Sequence, residues 1–284
     1  MTTQDFSPDD PRLDDPFEID TSVAHPARRY DYWLGGTDNF EADRISGDAI
    51  VADFPTVPIA VRENRRFLRR AVTFLAAEAG IHQFLDIGTG IPSADNVHEV
   101  AQSIAPESHV VYVDNDPIVL AHARRLLAPS DCGTTVYIHA DLREPDTIFG
   151  HPDLRKTLDL SRPVALMLIA VLHFFVDAAD PYGHVARLVG ALPPGSYLAM
   201  SHATADFMPA EISDDIDDIV RRESSRSRDP AQFRDRAAFA RFFDGMDLIP
   251  PGIESISDWR NENPSDRRPS AADTMTYGAV ARIS

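Results

Sequence analysis

An α/β domain, with a parallel sheet covered by helices on both faces, is the fold class this sequence predicts. Three observations predict it. Short β-rich runs alternate with helical patterns from residue 84 to residue 201, the order that builds parallel strands through crossover helices. One of those runs, 163–171, is almost wholly apolar, as a central strand buried on both faces must be. The first run, Phe84-Leu85-Asp86-Ile87, stops in the turn Gly88-Thr89-Gly90 and is followed by a helical pattern with Val97, Val100, Ala101 and Ile104 in phase.

Taken in order, residues 1–20 are rich in Asp, Pro and Ser and are expected to be a disordered acidic tail. Residues 25–44 mix aromatics, charges and paired glycines without a clean period. They suit either a lid that carries Tyr30, Tyr32, Trp33 and Asn39 over a pocket, hinged at Gly35-Gly36, or a surface loop pinned by its aromatics. A helix over 41–53 is broken by Pro55 and Pro58. A second, over 60–79, puts Phe67, Ala71, Phe74 and Leu75 on one face. Its arginines (Arg62, Arg65, Arg66, Arg69, Arg70) fall mostly off that face, as a solvated side would.

Strand 84–88 then leads to helix 93–104, and strand 109–114 to helix 117–128. Strands 134–139 and 163–171 come next, then helix 181–192 and strand 196–201. After His202 the pattern changes. Residues 206–228 and 230–244 read as helical. Two strands close the chain, Leu248 to Ser257 (interrupted by Pro250-Pro251) and Thr274 to Ile283, joined by a polar loop over 260–272. The expected organisation is the tail, an N-terminal helical extension over 21–80, and the α/β domain over 81–284.

Composition narrows the function. The chain has 284 residues and a net charge of −18, which argues against nucleic acid as a partner and against anionic membranes. Its single cysteine, Cys132, rules out an intrachain disulfide and multi-cysteine zinc sites. No metal site is expected. The first residues lack the basic patch and apolar run of a secretory leader, and no apolar run is long enough to span a bilayer, so a cytoplasmic protein is expected.

A strand that ends in a glycine turn before a helix makes a nucleotide cradle. Glycine lets the backbone approach a ligand, and a new helix offers unpaired N–H groups. Asp114 ends the next strand, 24 positions after Gly90, near the spacing at which an acid meets a ribose. Asp116-Pro117 already supplies the cap and first residue of the following helix, which leaves Asp114 available for the sugar.

Together these motifs resemble the class I S-adenosylmethionine-dependent methyltransferases. Phe84–Pro92 resembles their first motif and Val111–Asp114 their second. Ala140-Asp141-Leu142 resembles the position where an acid meets the adenine amino group, and Ile169–Phe175 the fourth-strand motif of members acting on small molecules. The segment Arg28–Phe40 (RRYDYWLGGTDNF) resembles a branch known simply as S-adenosyl methyltransferases. Pro92 stands where many members carry a third glycine. The resemblance implies a Rossmann-like, seven-stranded, mostly parallel sheet with an antiparallel last strand. It also implies S-adenosylmethionine as cofactor and a small-molecule acceptor. Cofactor contacts would come from Gly88, Thr89 and Gly90, from Asp86 at the ammonium, from Asp114 at the ribose, and from Asn115, Asp141 and Leu142 around the adenine. Ala170 would face the methionine side, with Tyr30 and Asn39 closing over it. His173 and His202 each end a strand on the side where ligands bind in open α/β sheets, and are the candidate general bases. An NAD-dependent oxidoreductase and a non-catalytic cofactor-binding protein are the alternatives.

Overall fold

The computed structural model describes residues 20–119, 133–208, 220, 230–264 and 268–284. Most of the acidic tail, most of the helices expected over 117–128 and 206–228, Cys132 and part of the loop 260–272 lie outside the described residues.

Five parallel strands form the body of the sheet: β1 (Gln83–Ile87), β2 (His109–Asp114), β3 (Thr135–His139), β4 (Ala165–Ile169) and β5 (Tyr197–Ala203). Then come β6 (Met246–Leu248), β7 (Glu254–Ser255) and β8 (Thr276–Ile283). The spatial order is β3-β2-β1-β4-β5-β8-β6, with β8 antiparallel to β5, and β7 also pairing with β8. The run expected as one strand over 248–257 is parted at Pro250-Pro251. Its two pieces, β6 and β7, lie along β8 at 281–283 and 277–278. The sheet is thus the expected seven-stranded one with its sixth strand divided.

The winding of the sheet reverses at β1. The strands run outward from it to β2 and β3, then return to its other side at β4. The carboxyl ends of β1 and β4 therefore flank a crevice, where open α/β sheets bind ligands. A Cβ on Gly88 would come within 2.5 Å of the Val171 side chain, so only glycine lets the two strand ends close up.

Side-chain alternation gives the sheet two dry faces. Phe84, Val110, Tyr112 and Met167 pack on one face, Leu85, Ile87, Val111 and Leu166 on the other. The first face is covered by α3 (Val57–Thr73), whose Phe67, Leu68, Ala71 and Val72 are buried, and by α4 (Val97–Ile104). Helix α3 starts earlier than expected because Pro58 sits in its first turn, where the lost N–H has no intrahelical partner anyway. It runs on as a π-helical turn, Phe74–Glu78. The second face is covered by α5 (Pro145–Gly150), α6 (Pro152–Thr157), α7 (Pro181–Gly190) and α8 (Arg236–Ala240). Only 236–240 of the helix expected over 230–244 is α-helical.

Two further helices, α1 (Pro26–Leu34) and α2 (Glu41–Asp53), lie ahead of α3 and contact it. The mixed segment 25–44 is thus largely helix. Its paired glycines are a C-cap rather than a hinge. Gly35 adopts φ 85° and its N–H closes the helix, while Gly36 N donates to Asp31 O at 2.9 Å.

The arginine run is not simply solvated. Arg65 donates to Ala94 O at 3.0 Å and Asp95 O at 2.9 Å. Arg70 pairs with buried Glu63 at 3.1 Å and donates to the carbonyls of Ile256 and Trp259. Among the described residues, no helix is long and apolar enough to cross a membrane.

Candidate active site

A cavity of about 410 Å³ opens at the carboxyl ends of the strands, roofed by α1, α2 and α3. Its floor is the strand-end machinery. Gly88 and Gly90 take φ 75° and 67°, the left-handed region that glycine occupies without strain. Gly88 N donates to Val113 O at 2.8 Å and Gly90 N to the Asp114 carboxylate at 2.7 Å. The other Asp114 oxygen accepts from Asp116 N at 2.9 Å. Burial pushes the Asp114 carboxyl up, and these two N–H groups pull against that. The turn and the acid thus face the same space.

Asp86 is the most perturbed acid of the floor. It is 4% exposed, and its described hydrogen bond comes from Thr89 Oγ1 at 3.2 Å. Burial raises its pKa to about 7, against the pull of Arg65 and Thr89. A buried carboxylate in this state lacks a close cation. Asn115, Asp141 and Leu142 line the same floor. Asp141 accepts from Arg143 N and Nε, both at 2.8 Å, and from Asn115 Nδ2 at 3.2 Å. Burial opposes its charge, but the Arg143 and Asn115 donors hold it below the usual carboxylate range.

The helix does not follow the glycine turn at once. α4 begins at Val97, and a loop over 91–96 intervenes, braced by Arg65. Pro92 and the left-handed Asp95 (φ 60°) keep that loop out of helix. Glu99 turns back to take the Asn96 N–H at 2.8 Å, so that helix end serves itself rather than a ligand.

Of the residues expected at the methionine end of the cofactor, some line the cavity and one does not. Tyr30 and Ala170 line the cavity, and a single hydrogen-bonded chain joins them. Ala170 N donates to Ser201 Oγ at 3.0 Å, and Ser201 donates to Asn64 Oδ1 at 2.7 Å. Asn64 Nδ2 donates to Tyr30 Oη at 3.0 Å, and Tyr30 donates to Val61 O at 3.0 Å. Ala170 holds φ 54°, strained for a residue with a Cβ. Asn39, expected to close over the cofactor, does not line the cavity. Its amide donates to Asp31 at 2.8 Å and Gly36 O at 3.1 Å, fastening the end of α1. Tyr32 also points elsewhere, to Asp48 at 2.8 Å.

The two histidines part in the same way. His173 lines the cavity, with Phe174 against its ring at 4.2 Å. Burial, helped by Arg234 and Arg29, lowers its pKa to about 3, so the ring is neutral at ordinary pH. His202 is fully buried and does not line the cavity. Nδ1 of His202 lies 2.7 Å from Ala203 O, and its Nε2 takes an Arg234 N–H at 2.9 Å. Both nitrogens are engaged within the protein, so His202 is not available as a base.

The comparisons with known proteins bear on this arrangement. A family model described as S-adenosyl methyltransferase matches residues 13–284. The chain belongs to that family. It is an S-adenosylmethionine-dependent methyltransferase of the class I, Rossmann-like kind. A solved DUF574-family protein from Streptomyces avermitilis is 48% identical, covering 94% of this chain and 100% of its own, with a TM-score of 0.88. A structure from Thermobifida fusca with a provisional methyltransferase designation is 38% identical, covering 93% and 97%, with a TM-score of 0.84. An O-methyltransferase-family protein from Burkholderia thailandensis, 14% identical with a TM-score of 0.50, covers 83% of this chain and 59% of its own and shares the fold. Comparison with curated proteins gives no match.

The cavity and its supports also draw on residues that the motifs did not single out. Asn64 completes the hydrogen-bonded chain. Its signal was a polar residue three positions before Phe67, on the buried stripe of α3. Arg234, buried, donates to the carbonyls of Leu172 (3.3 Å) and Phe175 (2.8 Å) and to Asp177 (2.7 Å), pinning the loop that carries His173. His25 and Arg28 meet Asp116 at 3.0 and 3.6 Å, and Arg28 meets Asp43 at 3.6 Å, which fastens the roof to the end of β2. Among the described residues no cluster suits a metal ion.

Proposed function

We propose that the enzyme binds S-adenosylmethionine across the ends of β1, β2 and β3 and methylates a small molecule held beneath α1–α3. The observation that carries this is the meeting of the Gly88–Gly90 main chain, Asp114 and Asp86 on one cavity floor. The residues fit the cofactor. Asp86 is a buried carboxylate in want of a cation, and the α-ammonium of the cofactor would supply one. Asp114 takes the ribose hydroxyls, and the left-handed glycines let the main chain of Gly88, Thr89 and Gly90 lie against the ligand. Asn115 and Leu142 border the adenine. Asp141 reaches the adenine amino group once the Arg143 side chain turns aside, because Arg143 and Asn115 now take most of its acceptor positions.

The cofactor supplies an activated methyl group on a sulfonium. The protein aligns the acceptor and excludes water. Ala170 and Tyr30, tied together through Ser201 and Asn64, set the distance between strand ends and roof. His173 stands at the acceptor as a neutral ring. Tyr32 turns away to Asp48, and Trp33 and Phe174 border the cavity, which favours catalysis over cofactor storage alone. The net charge of −18 supports a small acceptor rather than nucleic acid, and the single cysteine suits a reducing, cytoplasmic compartment. The reading includes residues 21–80 as the roof of the domain at 81–284. Calorimetry with S-adenosylmethionine and its demethylated product tests it. Micromolar binding of both is expected, and no heat from either at high micromolar concentration would overturn it.

A further inference from the structure

Helix α1 reaches from the cofactor floor to the far wall of the cavity. Its last turn brings Trp33 to an aromatic wall shared with Phe54, Phe174 and Phe233. Its first turn lies over the glycine turn: a Cβ on Gly90 would stand 3.9 Å from the Cβ of Ala27. His25 caps this helix and lines the cavity beside Pro26 and Ala27. Three contacts fix how it is held. Its backbone N–H donates to buried Asp43 at 2.8 Å, its Nδ1 accepts from Ala27 N at 3.3 Å, and Asp116 Oδ2 lies 3.0 Å from that same Nδ1. Both polar ring contacts therefore fall on one nitrogen. Among the described residues Nε2 makes no hydrogen bond, and the side chain keeps 20% of its surface exposed. The ring also stands near Asp114. Burial raises the pKa of that carboxyl, and His25 is close enough to pull it back down. Asp116, which His25 meets, donates its backbone N–H to Asp114 at 2.9 Å.

Resting on the cofactor reading above, we propose that His25 is a further cofactor-binding residue, whose Nε2 forms a hydrogen bond with a ribose hydroxyl so that the sugar is held from the roof as well as by Asp114. A hydroxyl both gives and takes a hydrogen bond, so the pair forms in either tautomer of the ring. The ring is already pinned at Nδ1, so little side-chain freedom is lost when the ligand arrives. The N-terminal extension is then part of the cofactor site. A ligand that binds its first turn steadies the whole of α1, including Tyr30 and Trp33 further along it.

Calorimetry on the full chain tests this with S-adenosylhomocysteine and its 2′-deoxy and 3′-deoxy forms. Asparagine at position 25 is a good helix cap and keeps a polar atom where Nδ1 stands, but it has nothing at Nε2. Glutamine reaches the Nε2 position. His25→Asn should weaken S-adenosylhomocysteine by about fivefold, the worth of one hydrogen bond, and His25→Gln by less. The decisive reading is the cycle between variant and ligand. One deoxy form should lose less affinity in His25→Asn than in the parent, because its partner is already gone. Equal losses for both deoxy forms in parent and variant overturn the proposal and leave His25 as a pin of the roof. A second measurement needs no variant. The Nε2 nitrogen resonance of His25 should move on adding S-adenosylhomocysteine and stay in place with the 2′,3′-dideoxy form, and the same displacement by both overturns the contact. Failure of S-adenosylhomocysteine to bind the parent overturns the cofactor reading instead, and is seen before any variant is made.

Discussion

The floor and the roof of the cavity are built by opposite means. The floor takes its polar contacts from neighbouring strand ends: Asp114 holds N–H groups of residues 90 and 116, and Asp86 holds Thr89. The roof depends on side chains that tie α1 and the residue before it to α2, α3 and the end of β2. His25 reaches Asp116, Arg28 reaches Asp43, and Tyr30 reaches Asn64. The floor is therefore fixed by the sheet register, whereas the roof is fixed by a few buried side chains. Loss of one roof contact should cost stability, and loss of one floor contact should cost cofactor.

The largest effect would break the roof. Arg28→Met leaves Asp43 and part of Asp116 buried without their guanidinium, and removing one partner of a buried pair costs about 3–5 kcal/mol. Urea unfolding should show a midpoint lowered accordingly. An unchanged midpoint would mean that the roof does not stand on this pair.

Asp114→Ala comes next and should spare the fold while weakening S-adenosylmethionine by about 100-fold, the worth of two charge-assisted hydrogen bonds at about 1.5 kcal/mol each. Calorimetry reads the affinity, and a Kd within a few-fold of the parent would exclude Asp114 from the ribose contact.

A pH series sharpens the role of Asp86. Its pKa in the free protein is raised to about 7, so below that pH the carboxyl is protonated and must lose its proton to receive an ammonium. Cofactor affinity should be full above pH 7 and fall up to about tenfold per unit below it. At pH 6, binding should release close to one proton, seen as heat that varies with the ionisation enthalpy of the buffer. Asp86→Asn should abolish the release and flatten the profile.

The smallest effect is a gain. Ala170→Gly relieves a left-handed residue, worth about 1–2 kcal/mol, against about 0.4–1 kcal/mol of added chain entropy. Thermal unfolding should show a net stabilisation of about 0.5 kcal/mol.

The same division explains what could be read from the sequence. β1 to β5 and the floor residues Asp86, Gly88, Gly90 and Asp114 were legible, because a strand, its turn and its terminal acid are consecutive in the chain. The family of the protein followed from them. The roof was harder to read. Asn39 and Tyr32 carry the chemistry of ligand contacts but are used to end α1 and to join it to α2, which depends on how those helices cross. His173 and His202 follow successive strands as read from the sequence, although β5 in fact runs on through His202. Only the tertiary position of Arg234 tells them apart, since it occupies Nε2 of His202. The start of α4 was misplaced because the loop at 91–96 is held by Arg65, whose partner residues lie about thirty positions further along the chain.

The chain of donors from Ala170 through Ser201 and Asn64 to Tyr30 has one direction throughout. Each member gives to the next, so none can be exchanged for an apolar residue without stranding the neighbours on either side. Descendants of this protein would have to replace Ser201, Asn64 and Tyr30 as a set, through intermediates less fit than either end. That makes the trio an inherited unit, slower to drift than the aromatic wall beside it, where one ring can stand in for another and a new acceptor can be adopted by single steps.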